Sequence, residues 1–95
     1  MSQTNVLIVD DNQDLADGLG MVLEDEDKHV SLAYNGTDAI KIFDSAHFDI
    51  VFLDVKLPDM NGIEVFHYIH KKDPQVRVIM MTGFRIEQVL AEVID

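Results

Sequence analysis

Ile50-Val51-Phe52-Leu53-Asp54 is a run of four apolar residues that ends in a carboxylate. An unbroken apolar run fits a strand buried on both faces, because helices cover a parallel sheet from either side. The carboxyl end of such a strand is the first place a charged group reaches water, which makes Asp54 a candidate for chemistry. The next residues, Val55-Lys56-Leu57-Pro58-Asp59-Met60-Asn61-Gly62, read as a loop. Pro58 turns Leu57 away from the helical region, Asn61 can cap and Gly62 is flexible, so a helix is predicted to start near Asn61. A lone Asp at a strand end is more often structural than functional; the rest of the chain reverses that balance.

Upstream, Val6-Leu7-Ile8-Val9 is a second apolar run, and it too ends in carboxylates, Asp10 and Asp11. Asn12 or Asp14 can cap a helix whose apolar positions Leu15, Leu19, Val22 and Leu23 recur at helical spacing and should cover one sheet face. Glu24-Asp25-Glu26-Asp27 closes that helix with acids, which is unfavourable against the helix dipole and reads as a solvated face. Val30 and Leu32 alternate with His29, Ser31 and Ala33 as in a short edge strand. Asn35-Gly36 turns the chain, and a second helix opens at Gly36 or Thr37 with Ala39, Ile40 and Phe43 inward, ending by Ser45-Ala46-His47.

Downstream, Ile63, Val65, Phe66 and Ile69 mark a third helix that stops near Lys71-Lys72, where basic residues suit the dipole, and Asp73-Pro74 breaks it. Val76 to Met81 is a fourth strand ending at Thr82-Gly83, with Met80-Met81 as core packing. Ile86, Val89, Leu90 and Val93 mark a fourth helix. Strands alternating with helices imply right-handed crossovers and an α/β parallel sheet covered on both faces. If the first connection goes one way and the next the other, the order is 2-1-3-4, which brings Asp10, Asp11 and Asp54 together at the switch point, with Thr82 one strand further along. His67 and His70, three apart on the third helix, read as a solvated face rather than a metal pair.

Composition narrows the function classes. The 95 residues amount to one domain, and 47% hydrophobic with 26% charged residues is ordinary for a folded protein. Without cysteine there is no disulfide framework or thiolate metal site, which fits a reducing compartment. No apolar run is long enough to span a membrane, and the N-terminus lacks the basic start and apolar stretch of a signal peptide, so a cytoplasmic location is expected. A net charge of −11, from 18 acidic against 7 basic residues, disfavours direct contact with nucleic-acid phosphates or anionic lipid.

Three carboxylates at one rim repel: a like-charge pair about 4 Å apart costs about 4 kcal/mol at an effective dielectric near 20. A cation is needed, and an all-oxygen set with room for water suits Mg²⁺ or Mn²⁺ better than Zn²⁺. A divalent ion there can also neutralise an incoming phosphoryl group, leaving one carboxylate as nucleophile. Asp54, alone on its strand, is best placed for that role, with Asp10 and Asp11 as the metal-holding pair. The Thr82 hydroxyl can donate to a phosphoryl oxygen, although a structural strand-end threonine is as reasonable.

Three motifs, V-L-I-V-D-D at Val6 to Asp11, V-F-L-D-V-K-L-P-D-M-N-G at Val51 to Gly62 and V-I-M-M-T-G at Val78 to Gly83, resemble those of the response-regulator receiver family. The resemblance covers the whole chain, from residue 1 to 95. It implies a flavodoxin-like doubly wound sheet and a domain that accepts a phosphoryl group on Asp54 from a histidine kinase or phosphotransfer protein. It further implies Mg²⁺ held by Asp10, Asp11, Asp54 and the backbone carbonyl of Lys56, and Thr82 as the switch hydroxyl. Family members continue into a fifth strand, a phosphoryl-binding lysine and a fifth helix. These 95 residues contain none of those, so a receiver incomplete at its C-terminal end is expected. With its fourth strand left as an apolar edge, such a chain is expected to self-associate through that strand or the uncovered face, to exchange elements between chains, or to be a piece of a longer protein. Two other classes share parts of this pattern. An aspartyl-intermediate phosphatase of the haloacid-dehalogenase type usually carries a second acid two residues past the nucleophile, where Lys56 stands here. A receiver-like interaction module that is not phosphorylated is the remaining alternative.

Overall fold

Sheet topology places the first strand, β1 (Thr4–Val9), in the interior of the molecule. In a computed structural model, which describes residues 4–81, β1 is followed by α1 (Gln13–Asp25), β2 (Lys28–Ala33), α2 (Gly36–Ser45), β3 (Ile50–Asp54), α3 (Gly62–Lys72) and β4 (Arg77–Met81). All strands pair in parallel in the order β2-β1-β3-β4, as the alternation of strands and helices predicts. The predicted fourth helix, Thr82 and Gly83 lie outside the described residues.

Both faces of β1 are buried because side chains alternate along a strand and helices cover either side. Leu7 and Val9 point into one cluster with Val51 and Leu53 of β3, Ala39 and Phe43 of α2, and Val65 and Ile69 of α3. Val6 and Ile8 point the other way, into a cluster with Phe52, Met81 and Ala16, Leu19 and Leu23 of α1. The sheet is thus wound on both faces, α1 on one and α2 with α3 on the other. Phe52 and Leu53, both fully buried, each contribute about 1.5–3 kcal/mol by leaving water. At the other end of β3, Phe48 stacks on Phe43 with ring centroids 6.1 Å apart and closes the bottom of the larger cluster.

Each described helix starts at an asparagine. Asn12, Asn35 and Asn61 are extended, and their side-chain oxygens accept from the backbone N–H of Leu15, Asp38 and Ile63. Such a cap is worth about 1 kcal/mol. Of the two cap candidates for α1, Asn12 holds the place and Asp14 falls in the first turn. The acidic run leaves the helix in the open: Glu26 and Asp27 donate back to the carbonyls of Leu23 and Glu24, and Asp27 adopts a left-handed φ of 63° before β2 begins.

Three expectations are corrected. Val22 is 36% exposed and Ile63 47% exposed, whereas Ala16 and Gly20 of α1 and Gly62 of α3 are buried in their stead. The small residues win those positions because a helix lies close to the sheet only where its contacting side chains are short: the Gly20 Cα hydrogen side faces Leu32 and Val30 of β2. The fourth strand begins at Arg77, with Val76 buried just ahead of it.

Candidate metal and phosphoryl site

Register decides which carboxylates meet. Val9 pairs with Leu53 across β1 and β3, so the next residues, Asp10 just past β1 and Asp54 as the last of β3, stand side by side at the carboxyl edge of the sheet. Asp11 follows Asp10, and carboxylate oxygens of Asp10, Asp11 and Asp54 all lie within 4.8 Å of one another, the one such acidic cluster among the described residues. The expected convergence of these residues is therefore present in the fold.

The members differ in environment. Asp10 is only 4% exposed; its side chain accepts from the Asn12 backbone N–H at 2.9 Å, and its own N–H donates to the Ala33 carbonyl at 3.0 Å. Burial above all, opposed by the Asn12 N–H and reinforced by Asp54 and the charge of Asp11, raises the Asp10 carboxyl from 3.8 to about 6. Asp54 is half-buried and accepts from the Lys56 N–H at 3.2 Å, while Asp11 is exposed. A buried carboxyl pressed by two others of the same sign is an incomplete electrostatic arrangement that a divalent cation would complete.

The donor set fits Mg²⁺. Oxygens bound to one octahedral Mg²⁺ lie roughly 3–4 Å apart, given metal–oxygen distances of about 2.1 Å. The rim oxygens, within 4.8 Å of one another, need to close by at most roughly 2 Å, a side-chain adjustment, or to leave one position to water. Among the described residues no nitrogen or sulfur ligand joins the cluster, and an all-oxygen set suits Mg²⁺ better than Zn²⁺. His67 and His70 stand apart from it, exposed on α3, with His70 stacked on Phe66 at 5.6 Å.

The loop after Asp54 is closed at its base and pinned at its tip. Lys56 and Asn61 form an antiparallel bridge, and the Gly62 N–H donates to the Val55 carbonyl at 2.8 Å. Gly62 is required here: a Cβ would collide with the carbonyl of Asp54 and the Cα of Val55, backbone atoms that cannot rotate away. At the tip, Asp59 reaches α2. Its Oδ1 accepts from the Gly36 N–H at 2.7 Å, and its Oδ2 accepts from the Thr37 N–H at 2.8 Å and the Thr37 hydroxyl at 2.6 Å. The Thr37 hydroxyl, then the N–H groups of Gly36 and Thr37, lower the Asp59 carboxyl to about 2. In the sequence Asp59 reads only as loop, because a contact spanning more than 20 positions has no local signature. Thr82 lies outside the described residues.

Comparison with known proteins agrees with this arrangement. Residues 6–95 match the family model described as the response regulator receiver domain, so the chain belongs to that family. Among curated relatives, it is 35% identical over 77 residues to the response regulator receiver protein Anae109_2439 of Anaeromyxobacter, covering 81% of this chain and 32% of that protein. It is 38% identical over 79 residues to the chemotaxis protein CheY of Listeria monocytogenes, covering 82% of this chain and 66% of that one. The chain thus spans about a third of the first relative and just under two thirds of the second. A CheY-like receiver from Methanospirillum hungatei superposes with a TM-score of 0.85 at 32% identity, over 94% of this chain and 72% of that one. The response regulator TrrA of Thermotoga maritima, solved in complex with Mg²⁺-BeF, gives 0.80 at 31% identity over 92% and 76% of the two chains. TrrA solved in complex with the histidine kinase ThkA gives 0.79 at 32% identity, over 87% and 72%.

Proposed function

We propose that this receiver takes a phosphoryl group onto Asp54 from a phosphohistidine of a histidine kinase or phosphotransfer protein, with Mg²⁺ bound at the rim. The observation that carries the reading is the meeting of three carboxylates at the switch point of the sheet, one buried with a raised pKa and one half-buried at the end of its own strand. The similarity to TrrA, solved with Mg²⁺-BeF and with a histidine kinase, supports both the metal and the class of partner.

In this reading Asp10, Asp11, Asp54 and the backbone carbonyl of Lys56 hold the ion. When bound, Mg²⁺ offsets the carboxylate charges and the charge of the arriving phosphoryl oxygens. An Asp54 oxygen forms the new O–P bond as the N–P bond of the donor imidazole breaks; the imidazole keeps the electron pair and takes up a proton. The Asn12 and Lys56 N–H groups hold the carboxylates of Asp10 and Asp54 in place during that exchange. Thr82 serves as the switch hydroxyl. The domain acts on itself and turns over no outside substrate, and its cysteine-free composition fits the cytoplasm that such a relay implies.

The test is mass spectrometry after incubation with a small phosphodonor and Mg²⁺. One base-labile phosphoryl adduct should form, and Asp54→Asn should abolish it. An adduct that persists in Asp54→Asn refutes the acceptor assignment; no adduct on the parent, with Mg²⁺ bound, leaves a receiver that works by interaction alone.

A further inference from the structure

The amino end of α2 is capped twice. Asn35 satisfies the Asp38 N–H at 2.8 Å, one of the four N–H groups that a helix start leaves without an intrahelical partner. Asp59 then arrives from the β3–α3 loop and takes the N–H groups of both Gly36 and Thr37 and the Thr37 hydroxyl. Next to it, Met60 packs onto Gly36 so closely that any side chain at position 36 would collide with the Met60 side chain. Two adjacent loop residues, one polar and one apolar, therefore dock on one spot of α2.

We infer that Asp59 is a positioning residue of the metal site, a latch that holds the β3–α3 loop against α2 and so fixes where the Lys56 carbonyl stands. The inference rests on the proposed Mg²⁺ site and assigns a role to a side chain that does not itself reach the cluster. Lys56 is itself paired with Asn61 in the bridge at the loop base, and the Asp59 clamp holds the chain three residues on, between the two halves of that bridge. The same latch ties the loop to the other rim strands. The Ala33 carbonyl, at the end of β2 and three residues before Gly36, accepts the Asp10 N–H. A series of hydrogen bonds and short chain segments thus runs from Asp10 through the β2–α2 turn and Asp59 to Lys56, whose N–H donates to Asp54. Groups that hold ligands in place typically change metal affinity by about 10–100-fold when removed, although they never touch the ion.

The experiment pairs Mg²⁺ titration by calorimetry with the NMR amide signal of Lys56 in metal-free protein, for the parent, Asp59→Ala, Asp59→Asn, Thr37→Val and Thr37→Ser. Asp59→Ala should weaken Mg²⁺ binding about tenfold and broaden or shift the Lys56 amide. Thr37→Val and Asp59→Asn, which each remove part of the clamp, should fall between, and Thr37→Ser, which keeps the hydroxyl, should match the parent. If Asp59→Ala does not fold, the two partial variants decide in the same way. Clamp variants that are folded and bind Mg²⁺ within twofold of the parent overturn the inference, as does a Thr37→Ser variant as weak as Thr37→Val. A parent that binds no Mg²⁺ brings down the metal reading itself, and an unmoved Lys56 amide in Asp59→Ala would then dispose of the latch too.

Discussion

Replacing Asp10 by asparagine should make the metal-free protein more stable, by an amount that depends on pH. Asp10 holds its proton up to about pH 6 in the folded chain against 3.8 for the free side chain, chiefly because burial penalises its charge. A folded pKa above the unfolded one means that the native state binds more protons between those values, so stability falls as pH rises from about 4 to about 6. By pH 7.5 the whole penalty is present. A difference of about two units corresponds to about 3 kcal/mol, a large share of the net stability of about 5–15 kcal/mol typical of a domain. Asparagine keeps the shape and an oxygen able to accept from the Asn12 N–H, and it carries no charge. Urea unfolding followed by circular dichroism, in EDTA at pH 7.5, should therefore show Asp10→Asn more stable by about 2–3 kcal/mol. At pH 3.5, where Asp10 is mostly protonated in both states, the gain should shrink to near zero. Mg²⁺ at about a hundred times its Kd should raise the parent by about 2.7 kcal/mol and the variant far less. An equal gain at both pH values, or none at pH 7.5, would show that the charge of Asp10 is not what the fold pays for at this rim.

Two glycines give predictions of opposite sign. Gly62→Ala should destabilise the domain by at least about 1–3 kcal/mol, since the added methyl meets the backbone at Asp54 and Val55; urea midpoints check this, and an unchanged midpoint would mean that the start of α3 can back away from the strand. Gly20→Ala should stabilise by up to about 1 kcal/mol, because it removes a flexible residue from inside α1 and its methyl finds ordinary contacts of 3.4 Å with Leu32 and Val30. A lower melting temperature for Gly20→Ala would show that α1 and β2 cannot give at that contact.

The parallel strands and their acidic ends were legible because each rests on a local pattern, whereas the order 2-1-3-4 followed only on the condition that the first two connections run in opposite directions. Leu7, Ile8, Phe52 and Leu53 form runs that only a doubly covered strand can bury, and Asp10 and Asp54 interrupt those runs at the end where a parallel sheet opens to water. Helix faces were less legible. Val22 and Ile63 keep helical spacing with buried neighbours yet stand exposed, while Ala16 and Gly20 carry the contact to the sheet with hardly any apolar signal of their own. The hold of Asp59 on Gly36 and Thr37 was not legible at all, because it depends on how two loops meet once the sheet has formed.

The interior position of β1 sets the timing of folding. Val6 pairs with Val30 on one side and Ile50 on the other, 24 (30 − 6) and 44 (50 − 6) positions later in the chain. During synthesis at roughly 5–20 residues per second, Val6-Leu7-Ile8-Val9 therefore waits about 2–9 seconds for its second neighbour. For that interval four consecutive apolar residues have one open edge, and β2 can occupy only the other. Closing such separations slows folding relative to a helical protein of equal length. A nascent chain arrested before β3 should accordingly bind chaperones that favour extended apolar segments, and one extended past Asp54 should release them.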